Sequence, residues 1–220
     1  MLVVVLLLTL LMSAVGAALA LVTSSEVAIA ANFRNSEEAR YAVSAAAEHA
    51  VAELASSADW NQLLDGTVRS TLVDGLPFGP RVLADGSRLD LEEVLNLANC
   101  QRTTVCADAE MDAVTSDRPW GVNNPRWRLF AYGRLRDLLP AGAIDSPYYA
   151  VVLVADDPSE TDGDPSRDGA PPDPGAGIVE VRARVFGPRG VRRTIDMTVG
   201  RTSAGPPRVM SWRETKQEAK

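Results

Sequence analysis

The chain is short of aromatic residues, of histidine and of positive charge, and each shortage narrows what it can do. Phe, Trp and Tyr make up only 5% of the 220 residues, so the core behind the opening segment is expected to be small. Lys and Arg number 22 against 29 Asp and Glu, for a formal net charge of −7. No basic stripe of the kind that phosphate recognition requires stands out, which argues against nucleic acid as a partner. There is one histidine, His49, so neither a multi-histidine metal centre nor a Cys/His nucleophile pair gains support. G-x-S-x-G, P-loop and G-x-G-x-x-G motifs are also missing. The expectation is a non-enzymatic protein with His49 on the surface of a helix or at the edge of its apolar stripe.

The opening lacks charge as well: the first charged side chain is Glu26. From Leu2 to Val22 only Thr9, Ser13 and Gly16 interrupt an apolar run long enough to cross a bilayer core of about 30 Å. Ala18-Leu19-Ala20 has the A-x-A form of a signal-peptidase site. A basic stretch ahead of the run is missing, however, and the run exceeds the usual length of a signal peptide's apolar region. Beyond it, from Glu26 to Leu54, there is no proline and no glycine. Val43, Ala47, Ala50, Val51 and Leu54 recur at three- and four-residue steps, while Glu37, Glu38, Arg40, Glu48 and Glu53 lie largely off that stripe. One continuous helix of about 55 residues, about 80 Å long, is the expected result. Its segments are 1–25, a transmembrane half, and 26–57, an amphipathic half. Ser13, Gly16, Ala17 and Ala20 are small enough to let neighbouring helices approach closely in a membrane or a filament core.

Here a resemblance becomes specific. The stretch SSEVAIAANFRNSEEARYAVSAAAEHAVAEL resembles the type IV pilus-assembly minor pilins of the PilX kind, within the pilin and pseudopilin superfamily. Ala31, Asn32, Arg34, Ala39, Tyr41 and Ala42 carry the likeness, which is strongest over residues 1–55. It implies a pilin-like α+β fold, with the long N-terminal helix packed on a small antiparallel β-sheet. It implies a non-catalytic role in pilus assembly or tip formation, in the bacterial inner membrane with a periplasmic domain. The partners would be other pilin subunits and the inner-membrane assembly machinery, and the product a surface filament. Such proteins carry a short basic leader ending in glycine, expected ahead of Met1. Major pilins place a glutamate near the start of the mature helix, where this chain has Val5, which fits a minor or tip subunit better. A type II secretion pseudopilin, or an anchored binding or adhesion module that never polymerises, are the other readings.

Behind the helix, 58–125 reads as an irregular connecting region, with a helix near Leu91–Asn99 and a helical turn near Ala107–Val114. Cys100 and Cys106 do not have C-x-x-C spacing, and outside the cytoplasm they would close a small disulfide loop. Residues 126–213 hold four strand candidates: Trp127–Leu135, Tyr148–Val154, Ile178–Phe186 and Val191–Val199. The continuous apolar run of the second suggests a central strand, and Glu180, Arg182 and Arg184 of the third are expected on the solvent side. A polar tail, 214–220, follows.

The acidic loop 155–177 concentrates carboxylates. Among them Asp156, Asp157, Asp162 and Asp164 are candidate Ca²⁺ ligands, although the EF-hand pattern is not met. A solvated loop without a cofactor is the competing expectation. Trp120, Trp127 and Trp212 offer an aromatic recognition surface, with packing against the sheet as the simpler account.

Overall fold

The structure is a computed structural model, and it describes residues 1–138, 145–202 and 205–217. Helix α1 spans Leu2–Ser56 without a break. The chain divides into two compact units, Met1–Glu38 and Ala39–Lys220.

The first unit is the apolar part of α1. Its side chains from Leu2 to Val22 are exposed around the whole helix, as are Val27, Ile29 and Phe33 further along. Four hydroxyls in this segment are satisfied within the helix: Thr9 donates to Leu6 O, Thr23 to Leu19 O, Ser24 to Leu21 O and Ser25 to Val22 O. Such internal bonding is what a polar group needs in a medium without water.

The second unit is built on a five-stranded antiparallel sheet. In chain order its elements are α2 (Asn61–Leu64), β1 (Pro80–Val82), β2 (Arg88–Asp90), α3 (Leu91–Cys100), α4 (Asp108–Met111), β3 (Arg128–Arg134), β4 (Tyr149–Asp156), β5 (Ile178–Phe186), β6 (Arg192–Thr202) and β7 (Gly205–Gln217). Strands β3 to β7 lie in sequence order, each beside the next. β1 and β2 form a separate small hairpin inside the region expected to be irregular.

Each face of the sheet carries its own core. On one face, Ala39, Ala42, Val43, Ala46, Ala47, Ala50 and Leu54 of α1 pack against Val152, Val154, Val181, Val185, Ile195 and Val199. The alanines let the helix backbone lie close to the sheet, and the aliphatic strand residues fill the space between. On the other face, Leu91, Val94 and Ala98 of α3 cover Tyr149, Val151, Leu153 and Trp127. β4 is therefore buried on both sides along its whole length, as its unbroken apolar sequence requires.

Two expectations are corrected. The sheet has five strands rather than four, because β7 takes in residues expected to be a polar tail; of 214–220, only 214–217 lie among the described residues. A strand at the sheet edge tolerates Pro206 and Pro207 and needs little apolar patterning, so periodicity does not reveal it. Glu180, Arg182 and Arg184 are half-buried and face a cleft rather than open solvent. The opposite edge, β3, is covered by residues 70–74: Ser70 N donates to Phe130 O, Tyr132 N to Leu72 O and Asp74 N to Tyr132 O.

The connecting region is held by buried polar side chains. Asn99 binds the backbone of Trp127 in both directions, donating to its carbonyl at 3.1 Å and accepting from its N–H at 2.8 Å. Arg118 donates to Ala98 O, Met111 O and Pro125 O. Asn124 donates to Met111 O and Ala113 O and accepts from Trp120 N. Cys100 and Cys106 are joined in a disulfide, as expected, at the C-terminal end of α3.

Candidate functional site

Three features of the molecule could carry function, and they differ in kind. The first is the apolar surface of α1 within Met1–Glu38. An eighteen-residue window there has a mean hydropathy of 2.7 and buries nothing, so the helix is long and apolar enough to cross a membrane. A Cβ added at Gly16 would meet no atom within 4 Å, so nothing within the chain requires a glycine there. Ser13, Ala17 and Ala20 are likewise exposed.

The second feature is a carboxylate cluster where β4 ends and the loop to β5 folds back. Asp156 is the last residue of β4, Glu160 follows one turn later, and Asp168 returns to them from the far side of the loop. One oxygen from each lies within 4.8 Å of the others. Asp156 is 3% and Glu160 2% exposed. The loop is pinned by its own backbone: Gly169 N donates to Glu160 Oε2 at 2.8 Å and Gly177 N to Asp168 Oδ1 at 2.6 Å. Asn123 Nδ2 donates to Glu160 O, and Asp168 N donates to Asn61 Oδ1.

Two glycines make this wrapping possible. A Cβ at Gly169 would come within 2.7 Å of Glu160 Oε2. At Gly175, where φ is +90°, it would come within 2.8 Å of Glu160 Cγ and Ser159 Oγ. Burial pushes Asp156 up to about 8, and the charges of Glu160, Asp168 and Asp162 push the same way. Glu160 rises to about 7, again through burial first, with Asp168, Asp162 and Asp173 adding to it against the Gly169 hydrogen bond. Asp168 is raised by burial in spite of the bond from Gly177 and the charge of Arg201.

Of the four aspartates expected to act together, only Asp156 enters this cluster. Asp157, Asp162 and Asp164 each accept from the backbone N–H two residues on, those of Ser159, Asp164 and Ser166, and so shape turns. Sequence reading misses Glu160 and Asp168 because their approach depends on the loop doubling back. The available signal is the glycine pair bracketing the return, Gly169 and Gly175.

The third feature is a cleft of about 1010 Å³ on the α3 side of the sheet, running from α3 to the exposed face of β5, β6 and β7. Trp120 and Trp212 line it, 45% and 43% exposed, while Trp127 is buried beneath Arg182, whose guanidinium carbon lies 4.4 Å from the ring centre. The aromatic surface thus consists of two tryptophans, and the third packs in the core.

His49 stands beside a serine and a glutamate, which by residue type resembles a nucleophile–base–acid set. Its Nε2 lies 3.4 Å from Ser70 Oγ and 3.3 Å from Glu53 Oε2. A relay needs the nucleophile and the orienting acid on opposite ring nitrogens, whereas here both meet the same one. Glu53 instead ties α1 to the segment along β3, accepting from Thr71 N and Thr71 Oγ1. Burial opposes its ionisation, yet the bonds from Ser70 and Thr71 outweigh burial and hold the carboxyl below its ordinary range. This group is a clasp between elements.

Comparison with family models, with curated proteins and with solved structures finds no match to this chain.

Proposed function

We propose that the chain is a minor pilin-like subunit of a type IV pilus or related filament, involved in assembly or tip formation and without catalysis. It waits in the bacterial inner membrane, held by the apolar half of α1, with the sheet domain on the periplasmic side. It then passes into a filament, where the same helix packs against its neighbours.

The observation that carries this reading is the change of surface along one unbroken helix. Up to Phe33 its large apolar side chains are exposed, and from Ala39 an alanine stripe is buried on the sheet. A plain anchor needs only about 20 apolar residues and then a linker. Here the helix runs from Leu2 to Ser56 without a linker, and Phe33 and Tyr41, beyond the apolar run, remain 69% and 67% exposed. Exposed aromatics on a helix of this kind suit contact with other protein helices. The small residues Ser13, Gly16, Ala17 and Ala20 suit close approach of such helices. A secretion pseudopilin would use the same physics.

A second reading, an anchored binding module that stays in the membrane, draws on the cleft bearing Trp120 and Trp212. A thiol placed in α1 separates the two. Both native cysteines are in the disulfide, so Ala17→Cys supplies the only free thiol. In cells assembling filaments, the subunit reading expects Ala17→Cys to cross-link to another filament subunit and the chain to appear in the sheared surface fraction. Mass spectrometry should find an N-methylated mature terminus. A chain that stays wholly with the membrane, without cross-links, overturns the subunit reading and leaves the binding module.

A further inference from the structure

We propose that Asp156, Glu160 and Asp168 form a binding site for one divalent cation, Ca²⁺ by its chemistry, which fastens the β4–β5 loop to the end of the sheet. The proposal is independent of the filament role.

Three observations carry it. The first is distance. Oxygens on opposite sides of a Ca²⁺ ion, each bonded at 2.3–2.6 Å, are separated by at most about 4.6–5.2 Å. One oxygen from each of these three carboxylates falls within 4.8 Å of the others, so all three can reach one ion. Mg²⁺ brings opposite oxygens to about 4.0–4.2 Å and demands near-ideal octahedral geometry, a poorer match to a loop-borne set.

The second is unmet bonding. Asp156 Oδ1 and Glu160 Oε1 are fully buried and, among the described residues, accept no hydrogen bond. Their residues are more than nine-tenths buried, and both belong to the cluster. A buried carboxylate oxygen without a donor or cation is costly, and such atoms call for an explanation. The oxygens that do have partners, Glu160 Oε2 and Asp168 Oδ1, take backbone N–H groups from the loop. Those bonds fix the cluster's shape and leave Asp156 Oδ1 and Glu160 Oε1 free to ligate.

The third is charge. Among the described residues no salt bridge involves any of the three carboxylates. The charge of Arg201 acts on Asp168, lowering its carboxyl. Its guanidinium is committed elsewhere, donating to Ala58 O and Ser57 O and lying 4.3 Å from the centre of the Trp60 ring. Three acids gathered around one point therefore hold either shared protons or a metal ion.

The full chain in detergent, stripped of metal with EDTA and held at about pH 9, above the range in which the cluster keeps its protons, decides between them. Titration with CaCl₂ in a calorimeter should show saturable binding of one ion per chain, with Kd of about 10⁻⁴–10⁻³ M or tighter, as in extracytoplasmic modules. At about 10 mM Ca²⁺ the unfolding equilibrium constant should fall roughly 10- to 100-fold, seen as a higher thermal midpoint. Proteolysis between 157 and 177 should slow in parallel. Asp156→Asn and Glu160→Gln should each abolish the response, whereas Asp164→Asn, in a turn outside the cluster, should keep it.

No saturable heat and no midpoint shift in the unaltered chain would overturn the proposal and leave shared protons as the cluster's state. So would a response that survives both Asp156→Asn and Glu160→Gln. Because the first outcome is read on the native sequence, it stands even where a variant fails to fold. Equal saturation by Mg²⁺ would overturn the assignment to Ca²⁺.

Discussion

Arg118 shows how much of this domain depends on single polar side chains. It is 6% exposed, and one planar guanidinium serves carbonyls from α3, from the end of α4 and from the segment before β3. Burial draws its pKa down to about 10, with the nearby charges of Arg126 and Arg182 pulling the same way, so it remains charged at neutral pH. Replacing it by alanine removes a donor from three carbonyls, of which Met111 O keeps Asn124, and opens a void among them. The expected loss is about 2–4 kcal/mol, read as a lower urea midpoint of the full chain in detergent. Arg118→Lys should lose nearly as much, since a single ammonium cannot span three acceptors fixed by a planar fork. A loss below about 0.5 kcal/mol for Arg118→Ala would show that water replaces the guanidinium freely. None of this is visible in the sequence around RPWGVNNPRW, where Arg118 and Asn124 look like ordinary loop residues. Their partners are backbone groups, which have no sequence signature, so residues 58–125 read as irregular while the fold holds them firmly.

At the scale of elements, legibility follows periodicity. The 3.6-residue stripe of α1 predicts the face that packs on the sheet, and Val43, Ala47, Ala50 and Leu54 are all fully buried there. Strands β3 to β6 are legible for the same reason: β5 alternates cleanly, and β4 is apolar throughout because it has a core on each side. β7 escapes because an edge strand needs neither pattern. The carboxylate cluster is half legible, with Asp156 named and Glu160 and Asp168 missed, because the loop's return is set by hydrogen bonds such as Asp168 N to Asn61 Oδ1. The alanine stripe yields its own test. At Ala47, which has no exposed surface, leucine must force the helix away from the sheet, at an expected cost of about 1–3 kcal/mol. At Ala52, exposed on the same helix, leucine should change stability by less than about 0.5 kcal/mol. Denaturant midpoints for the two variants should separate accordingly, and equal midpoints would mean the helix–sheet contact is looser than its burial implies.

For the whole Ala39–Lys220 unit, the buried acids set how stability depends on pH. Asp156 is raised to about 8 and Glu160 to about 7, and Asp168 is raised as well, all mainly by burial. Glu180, half-buried on β5, is raised to about 7 by burial and by Asp157 and Asp196, against the charges of Arg182 and Arg213. The charged groups facing the cluster are Asp162 and Asp173 from its own loop, Asp59 from the turn before α2 and Arg201 from β6. Below about pH 4 these acids are protonated in both folded and unfolded chains and contribute no pH dependence. As pH rises from about 4 to about 8, the unfolded chain releases their protons while the folded chain retains them. Unfolding then releases protons, so stability falls with rising pH, by up to about 1.4 kcal/mol per pH unit for each group so poised. Glu53 acts in the opposite sense, since its lowered pKa adds stability that is lost as pH falls through the acid range. With EDTA present, the thermal midpoint of the full chain should therefore be highest in mildly acid solution, near pH 5, and decline toward pH 8. The double variant Asp156→Asn/Glu160→Gln should flatten that decline, leaving the part due to Glu180 and Asp168. A midpoint that rises steadily from pH 5 to pH 8 in EDTA would mean these carboxyls ionise freely in the folded chain, contrary to their burial.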